Sequence, residues 1–565
     1  MKRLATLFLA MAAACTTAPP PEVRPPAAAP AADVEPKVAA DIEARLAQMP
    51  RTAIDYDRAL LTDPERAVVA ELVEASKVID RIFWLQVSER NAEWDRALAA
   101  AAAVSPRHAA ARQYFHIMKG PWDDLAENEP FVEGVGPKPE GAAFYPPDIR
   151  KEEIERWIAE HPQDAEAFRG LYTVIRRYGD RLAAIPYSVY YKELLTEAAR
   201  HLDRAAELTD NASLRNYLAK LAKAFFTDDY YESDVAWMDL TGPIEVVIGP
   251  YEVYEDNLFN YKAAFESFVT VVDRPETEKL ALYAQHLPDM ERHLPLPDEH
   301  KNPNRGSESP IRVVQEIYTA GDARNGVATS AFNLPNDERV REAKGSKKVL
   351  LKNVMDAKFA KSGRPIAERV LVPEQTRLVG FAPYFNETLF HELSHGLGPG
   401  LIKTASGERV DNRLLLKETY STIEEAKADA VGAWNVLYAL DQGWLSGFSK
   451  EEFYGTLVGL MFRSMRFGID EAHGRGTAVQ WNWFREKGAV VPAEGGRFRM
   501  VPATMEEAIR SVANELLMIE ATGDYARAKR FLEKYGVAND EIRGTIAKLD
   551  DIPVDIAPVF PGAGE

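Results

Sequence analysis

Two imidazoles four residues apart, in the run Phe390-His391-Glu392-Leu393-Ser394-His395-Gly396, constrain this chain more than any other feature. In a helix, His391 and His395 share one face, a turn above one another. Both then reach one Zn²⁺ at about 2.0–2.1 Å. Glu392 lies about 100° round the helix, near enough to act as a base beside the metal without ligating it. Asn386 is expected as the N-cap, with Leu389, Phe390 and Leu393 as apolar anchors. Gly396, Gly398, Pro399 and Gly400 are expected to end the helix.

Such a site must be built from histidine and carboxylate. The single cysteine, Cys15, excludes both an internal disulfide framework and a cysteine-based zinc site. A further carboxylate comes from Ser421-Thr422-Ile423-Glu424-Glu425-Ala426-Lys427-Ala428-Asp429. Glu425 and Asp429 are four apart and share a helical face, and glutamate is a normal third ligand of a His₂Glu zinc site. Asp429 or Glu424 is placed to accept the outer N–H of a zinc histidine. Ala426, Ala428, Ala430 and Gly432 would let two helices approach closely. An alternative stands beside this reading. Ser421-x-x-Glu424 and Thr422-x-x-Glu425 also fit a capping box, in which the glutamate only satisfies a backbone N–H.

The rest of the chain is read in order. Met1 to Cys15 has the charged, apolar and small-residue regions of a targeting segment. Cleavage before Cys15 resembles a bacterial lipoprotein signal, and Thr16 after it favours the outer membrane. Ordinary secretion is the alternative. Residues 16–40 carry seven prolines and form a tether rather than a core. At 565 residues the remainder is too long for one core, so two lobes are expected, 41–273 and 274–565. From Asp41 to about Thr227 the pattern is helical, with a loop over Gly120–Pro147. Ile244, Val246 and Ile248, then Phe265 to Val272, read as strands. Between them lies Gly249-Pro250-Tyr251-Glu252-Val253-Tyr254-Glu255-Asp256, a turn at a strand end where site residues often lie, although by itself it reads first as a surface hairpin with tyrosines packed at its edge. Asn333-Leu334-Pro335-Asn336 is another polar turn. No apolar run spans a bilayer, so membrane association rests on a lipid anchor at Cys15. With 68 Lys and Arg against 87 Asp and Glu, the charge of −19 leaves no basic excess for nucleic acid.

Five motifs, taken together and in order, resemble the dipeptidyl peptidase III family of zinc metallopeptidases. They are Ile248 to Tyr254, Asn333 to Asn336, His391 to His395, Glu424 to Asp429, and Glu471-Ala472-His473. The resemblance implies one Zn²⁺ on His391, His395 and Glu425, Glu392 as general base, and Glu424 orienting a ligand. Tyr254 and His473 would stabilise the developing oxyanion. Glu252, Asn333 and Asn336 would hold the free amino end of a short peptide, so that dipeptides are released. The implied fold is α+β and predominantly helical, two lobes with a cleft between them, one containing a β-barrel and the other binding zinc. Familiar members space the histidines one residue further apart, whereas the spacing here suits an undistorted helix. A zinc endopeptidase and a non-catalytic peptide-binding lipoprotein are the rival readings.

Overall fold

Helices form wherever apolar residues recur every three or four positions. Helix α1 (Asp63–Val87) starts on a capping box between Thr62 and Glu65 and buries Val69, Leu72, Val73, Ser76, Ile79 and Phe83 along one stripe. It packs on α2 (Lys192–Leu208), which packs on α3 (Ala212–Thr227). The computed structural model describes residues 36–302, 311–403, 407 and 409–564. The targeting segment with Cys15, nearly all of the tether and most of the polar loop at 302–310 lie outside the described residues. The described part belongs to one compact unit, and none of its helices is long and apolar enough to cross a membrane.

The helical reading of 41–227 fails at the short strand Arg51–Ala53, which pairs with Ala557–Val559, and more fully further on. Thr173–Tyr178 and Arg181–Pro186 pair antiparallel as a hairpin closed by Gly179 and Asp180, with φ +58° at Gly179. Gly-Asp between two short β-compatible runs is turn chemistry that the long helical pattern around it obscures.

Five strands form the main sheet: β1 (Ile244–Glu252), β2 (Ala264–Val272), β3 (Ile311–Gly321), β4 (Ala331–Leu334) and β5 (Lys347–Leu351). Their order is β1-β2-β3-β5-β4, antiparallel except for the β3/β5 pair. Alternation in β1 suggests one wet face, yet every residue from Ile244 to Pro250 is buried. Glu245 tolerates this because the Lys347 ammonium donates to it at 3.1 Å. The expected β-barrel is realised as a curled half-barrel. Its edges meet at one end, where Asn336, just past β4, donates to the Tyr251 carbonyl oxygen of β1 at 3.1 Å.

The second half supplies helices α4 (Phe381–His395), α5 (Tyr420–Asp441), α6 (Lys450–Met465), α7 (Ala472–Glu486) and α8 (Pro502–Thr522), with α5 packed against α4, α7 and α8. The chain is 59% helical and α+β. Two hydrophobic cores result, and the sheet divides them. Val314, Val349 and Leu351 face the core of α1–α3, while their neighbours Val313 and Leu350 face the core of α4–α8. The core of α1–α3 is therefore not contiguous in sequence. It takes residues from β3 to β5 and, at the C-terminus, Ile556 and Phe560.

Candidate metal centre

Helix α4 begins five residues before the expected cap. Gly380 holds the N-cap position, and its N–H is taken by the Thr456 hydroxyl of α6 at 3.1 Å. Pro383 fits the first turn, where a backbone N–H has no helical partner in any case. Asn386 therefore lies inside the helix, its amide donating to the Ala382 carbonyl oxygen at 2.9 Å. The helix ends at His395, and Gly398 adopts φ +88° two residues beyond the cap.

His391, His395 and Glu425 bring one ligand atom each to within 4.8 Å of one another. The two Nε2 atoms are 3.1 Å apart, with rings perpendicular. Each Nδ1 is engaged behind. His391 Nδ1 bonds Asp429 Oδ1 at 2.6 Å and His395 Nδ1 bonds Glu424 Oε1 at 2.7 Å. A carboxylate accepts only from an N–H, so both Nε2 lone pairs point inward. Glu425 Oε2 lies 3.4 and 3.7 Å from these atoms and 3.1 Å from His473 Nδ1, yet it is buried without an aligned hydrogen bond. An orphaned acceptor facing two bare imidazole nitrogens is a donor set that fits Zn²⁺. Burial opposes the charge on Glu425, but the His391 and His473 imidazoles hold its carboxyl well below the usual range.

The capping-box alternative does not hold. Helix α5 starts at Tyr420, Thr419 makes no side-chain cap, and Ser421 and Thr422 are inside it. Close packing places Glu425. A Cβ on Gly432 would come within 2.8 Å of the His391 nitrogen, and one on Gly476 of α7 within 3.1 Å of the Ala426 nitrogen. Glu471 caps α7, accepting from the N–H groups of His473 and Gly474 at 2.9 and 2.8 Å, and this fixes His473 beside Glu425. The nearby Glu425 carboxylate outweighs burial and raises the His473 pKa.

Three partners are not evident from the motifs. Lys348 of β5 donates to Glu392 Oε2 at 2.8 Å. Burial would raise the Glu392 carboxyl, but the Lys348 charge prevails and lowers it. Lys427 donates to Glu424 Oε1 at 2.8 Å, and Gln480 donates to Asp429 Oδ2 at 3.0 Å. The only available signal for Lys348 is strand alternation, which sends Lys347 to one face and Lys348 to the other.

The expected substrate residues lie across the sheet. Asn333 sits directly opposite Lys348 in the β4/β5 register. Asn336 donates to Glu252 Oε1 at 3.3 Å, so these two meet although 84 residues apart. Burial raises the Glu252 carboxyl, and the buried acids Glu266 and Asp322 are near enough to interact with it. Tyr254 stands 73% exposed beside Glu252, whose charge raises its pKa. Its neighbours are the acids Glu252, Glu266 and Asp322. A cavity of about 600 Å³ opens over His391, Glu392 and His473, with Val327, Ala328, Ser330 and Ala331 among its walls.

The sequence profile of Peptidase family M49 matches residues 181–448. The structure of DPP III from Caldithrix abyssi is 50% identical, covers 92% of this chain and 98% of that one, and superposes with a TM-score of 0.87. The dipeptidyl-peptidase III structure from Corallococcus sp. strain EGB is 40% identical over 93% and 98%, with a TM-score of 0.75. Nudix hydrolase 3 of Arabidopsis thaliana is 37% identical over 552 residues, covering 89% of this chain and 71% of that protein. Human dipeptidyl peptidase 3 is 22% identical over 62% of this chain and 54% of its own.

Proposed function

The chain belongs to peptidase family M49 and is a metallopeptidase of the dipeptidyl-peptidase type, and from that premise we propose that it uses one Zn²⁺ to release dipeptides from the free amino end of short peptides. The observation that carries this reading is the convergence of His391, His395 and Glu425 beside the Lys348-held carboxylate of Glu392. Bound there, Zn²⁺ would polarise the scissile carbonyl and acidify water. Glu392 removes the proton from the attacking water and delivers it to the leaving amine. His473, and Tyr254 once peptide draws the sheet edge toward the zinc helices, donate to the oxyanion. Glu252, with Glu266 and Asp322 behind it, receives the α-ammonium, and Asn333 and Asn336 bind the peptide backbone. The cleft between the two lobes is the peptide channel in this reading. The site thus selects by charge at one end and by backbone at the other.

The test is mass spectrometry of an unblocked octapeptide incubated with zinc-loaded protein. Successive loss of N-terminal dipeptides is expected, and none from an α-acetylated peptide. Glu392→Gln should retain zinc and lower kcat by about 10²–10⁴. Internal cuts would reject the roles given to Glu252, Asn333 and Asn336. Peptide binding without product would favour the non-catalytic lipoprotein. We also propose, from residues 1–16 alone, a lipid anchor on Cys15 and a place in the cell envelope. Failure of radiolabelled palmitate to enter the protein in cells, with no difference from Cys15→Ala, would reject it.

A further inference from the structure

The catalytic cavity continues past the zinc residues, and one end of it carries a charge that the chemistry at His391 and Glu392 does not use. Arg463, near the end of α6, lines the cavity there with Tyr384 of α4. Its guanidinium is half-buried, lies 5.9 Å from the centre of the Tyr384 ring, and makes no hydrogen bond or ion pair among the described residues. Two charged groups interact with it at longer range. One is Lys358, whose ammonium is already paired with Asp555 at 2.9 Å. The other is Glu387 of α4, which lines the same cavity and makes no ion pair with it among the described residues. The wall on this side is otherwise apolar, with Leu457, Leu460 and Met461 of α6 and Phe467, which is 44% exposed. A guanidinium set in apolar wall with no carboxylate on it is a ready partner for one, since its fork matches two carboxylate oxygens.

The segment 328–336 fixes the direction in which a peptide crosses the site. At one end the Ala328 carbonyl oxygen accepts from the Lys358 ammonium, which is within electrostatic reach of Arg463. Further along, Asn333 stands opposite Lys348, whose ammonium holds Glu392. At the other end Asn336 meets Glu252, which receives the amino terminus in the proposed function. A peptide with its amino end at Glu252 and its second peptide bond at the zinc residues therefore runs on toward Arg463. We propose that Arg463 receives the free α-carboxylate of the substrate and that an apolar last side chain lies against Leu457, Leu460 and Phe467. His391 and Tyr384 are seven residues apart on α4, about 10 Å along its axis. An extended peptide covers that distance in about three residues. Two residues before the cut and about three after it make a pentapeptide the best-fitting length. This inference rests on the dipeptide-releasing reading and deepens it: the substrate is a short peptide held at both charged ends, and amidated or longer chains lose the second hold.

The test compares unblocked peptides ending in leucine, from tetrapeptide to octapeptide, each as the free acid and as the C-terminal amide, on the zinc-loaded chain. For the pentapeptide, kcat/KM of the acid is expected to exceed that of the amide at least about tenfold, with the difference in KM, and the advantage should shrink in the octapeptide. In Arg463→Met the ratio of acid to amide should fall to about one. A ratio near one in the wild type overturns the proposal without recourse to a variant, and so does an unchanged ratio in Arg463→Met. An advantage of the acid that is the same at every length overturns the pentapeptide fit. Calorimetric titration of the two pentapeptides into zinc-loaded Glu392→Gln gives a readout that needs no turnover, and there the acid should bind at least about tenfold more tightly. Equal binding of acid and amide overturns the inference whatever the products are. Absence of dipeptide products from the wild type, with the binding preference intact, overturns the proposed function and leaves Arg463 as the carboxylate site of a peptide-binding protein.

Discussion

Lys348 touches Glu392 at 2.8 Å and is itself only partly exposed, so it determines both where the carboxylate sits and whether it is charged. Removing it as Lys348→Met takes away the main force opposing burial, leaving only His391 and His395 to lower the carboxyl, and the Glu392 pKa then rises. The acidic limb of the kcat profile should move to higher pH, and kcat at neutral pH should fall by about 10–100-fold, as for other partners behind a reacting group. A pH–rate profile that stays in place would remove Lys348 from the mechanism. Behind His391, Asp429→Asn keeps the shape but weakens the bond that holds the ring tautomer. Zinc affinity should drop by about 10–100-fold, measurable by competition with a chelator. The shared face of His391 and His395 could be read from the chain because four-residue spacing on a helix is a local property. Lys348 could not, since nothing within several residues of Glu392 points to a lysine 44 positions earlier.

At the level of helices and strands, the site depends on how closely α5 approaches α4. Gly432 is the contact point, with no room for a methyl against the His391 backbone. Gly432→Ala should cost about 1–3 kcal/mol of stability through overpacking and should also weaken zinc, because it pushes His391 away from Glu425. Unchanged Tm and zinc affinity in that variant would mean that the helices have slack. Small residues along α5 signalled close approach in advance, but not which helix came near. The start of α4 was misread for a similar reason. The Thr456 hydroxyl from a separate helix serves Gly380, so the cap-like Asn386 was not needed.

Across the whole molecule, buried acids on the half-barrel sheet and on the segments beside it have carboxyls raised by burial. Burial raises Glu316 and Asp322 to about 8 and Asp234 to about 7. Unfolded, these groups lose their protons near pH 4; folded, they keep them until pH 7–8, as the cited values print. The folded state therefore binds more protons in this window, and its stability falls as pH rises through it. Thermal unfolding of zinc-loaded protein should give a lower Tm at about pH 8 than at about pH 5.5. Glu316→Gln, which cannot ionise, should narrow the difference. An equal difference in wild type and variant would show that Glu316 is not kept neutral.

What the chain determined by itself is what repeats over a few residues: the helices, the pairing of His391 with His395, the shared face of Glu425 and Asp429, and the turn residues around Glu252 and Asn336. The hairpin at 173–186 was local too, but its six-residue arms were hidden among longer helical periods. Tertiary structure decided the rest. It placed Glu252 against Asn336 by curling the sheet until its edges met, and it set Lys348 on the face turned toward Glu392. Side-chain periodicity records which face of an element is buried; only packing between elements decides what that face meets.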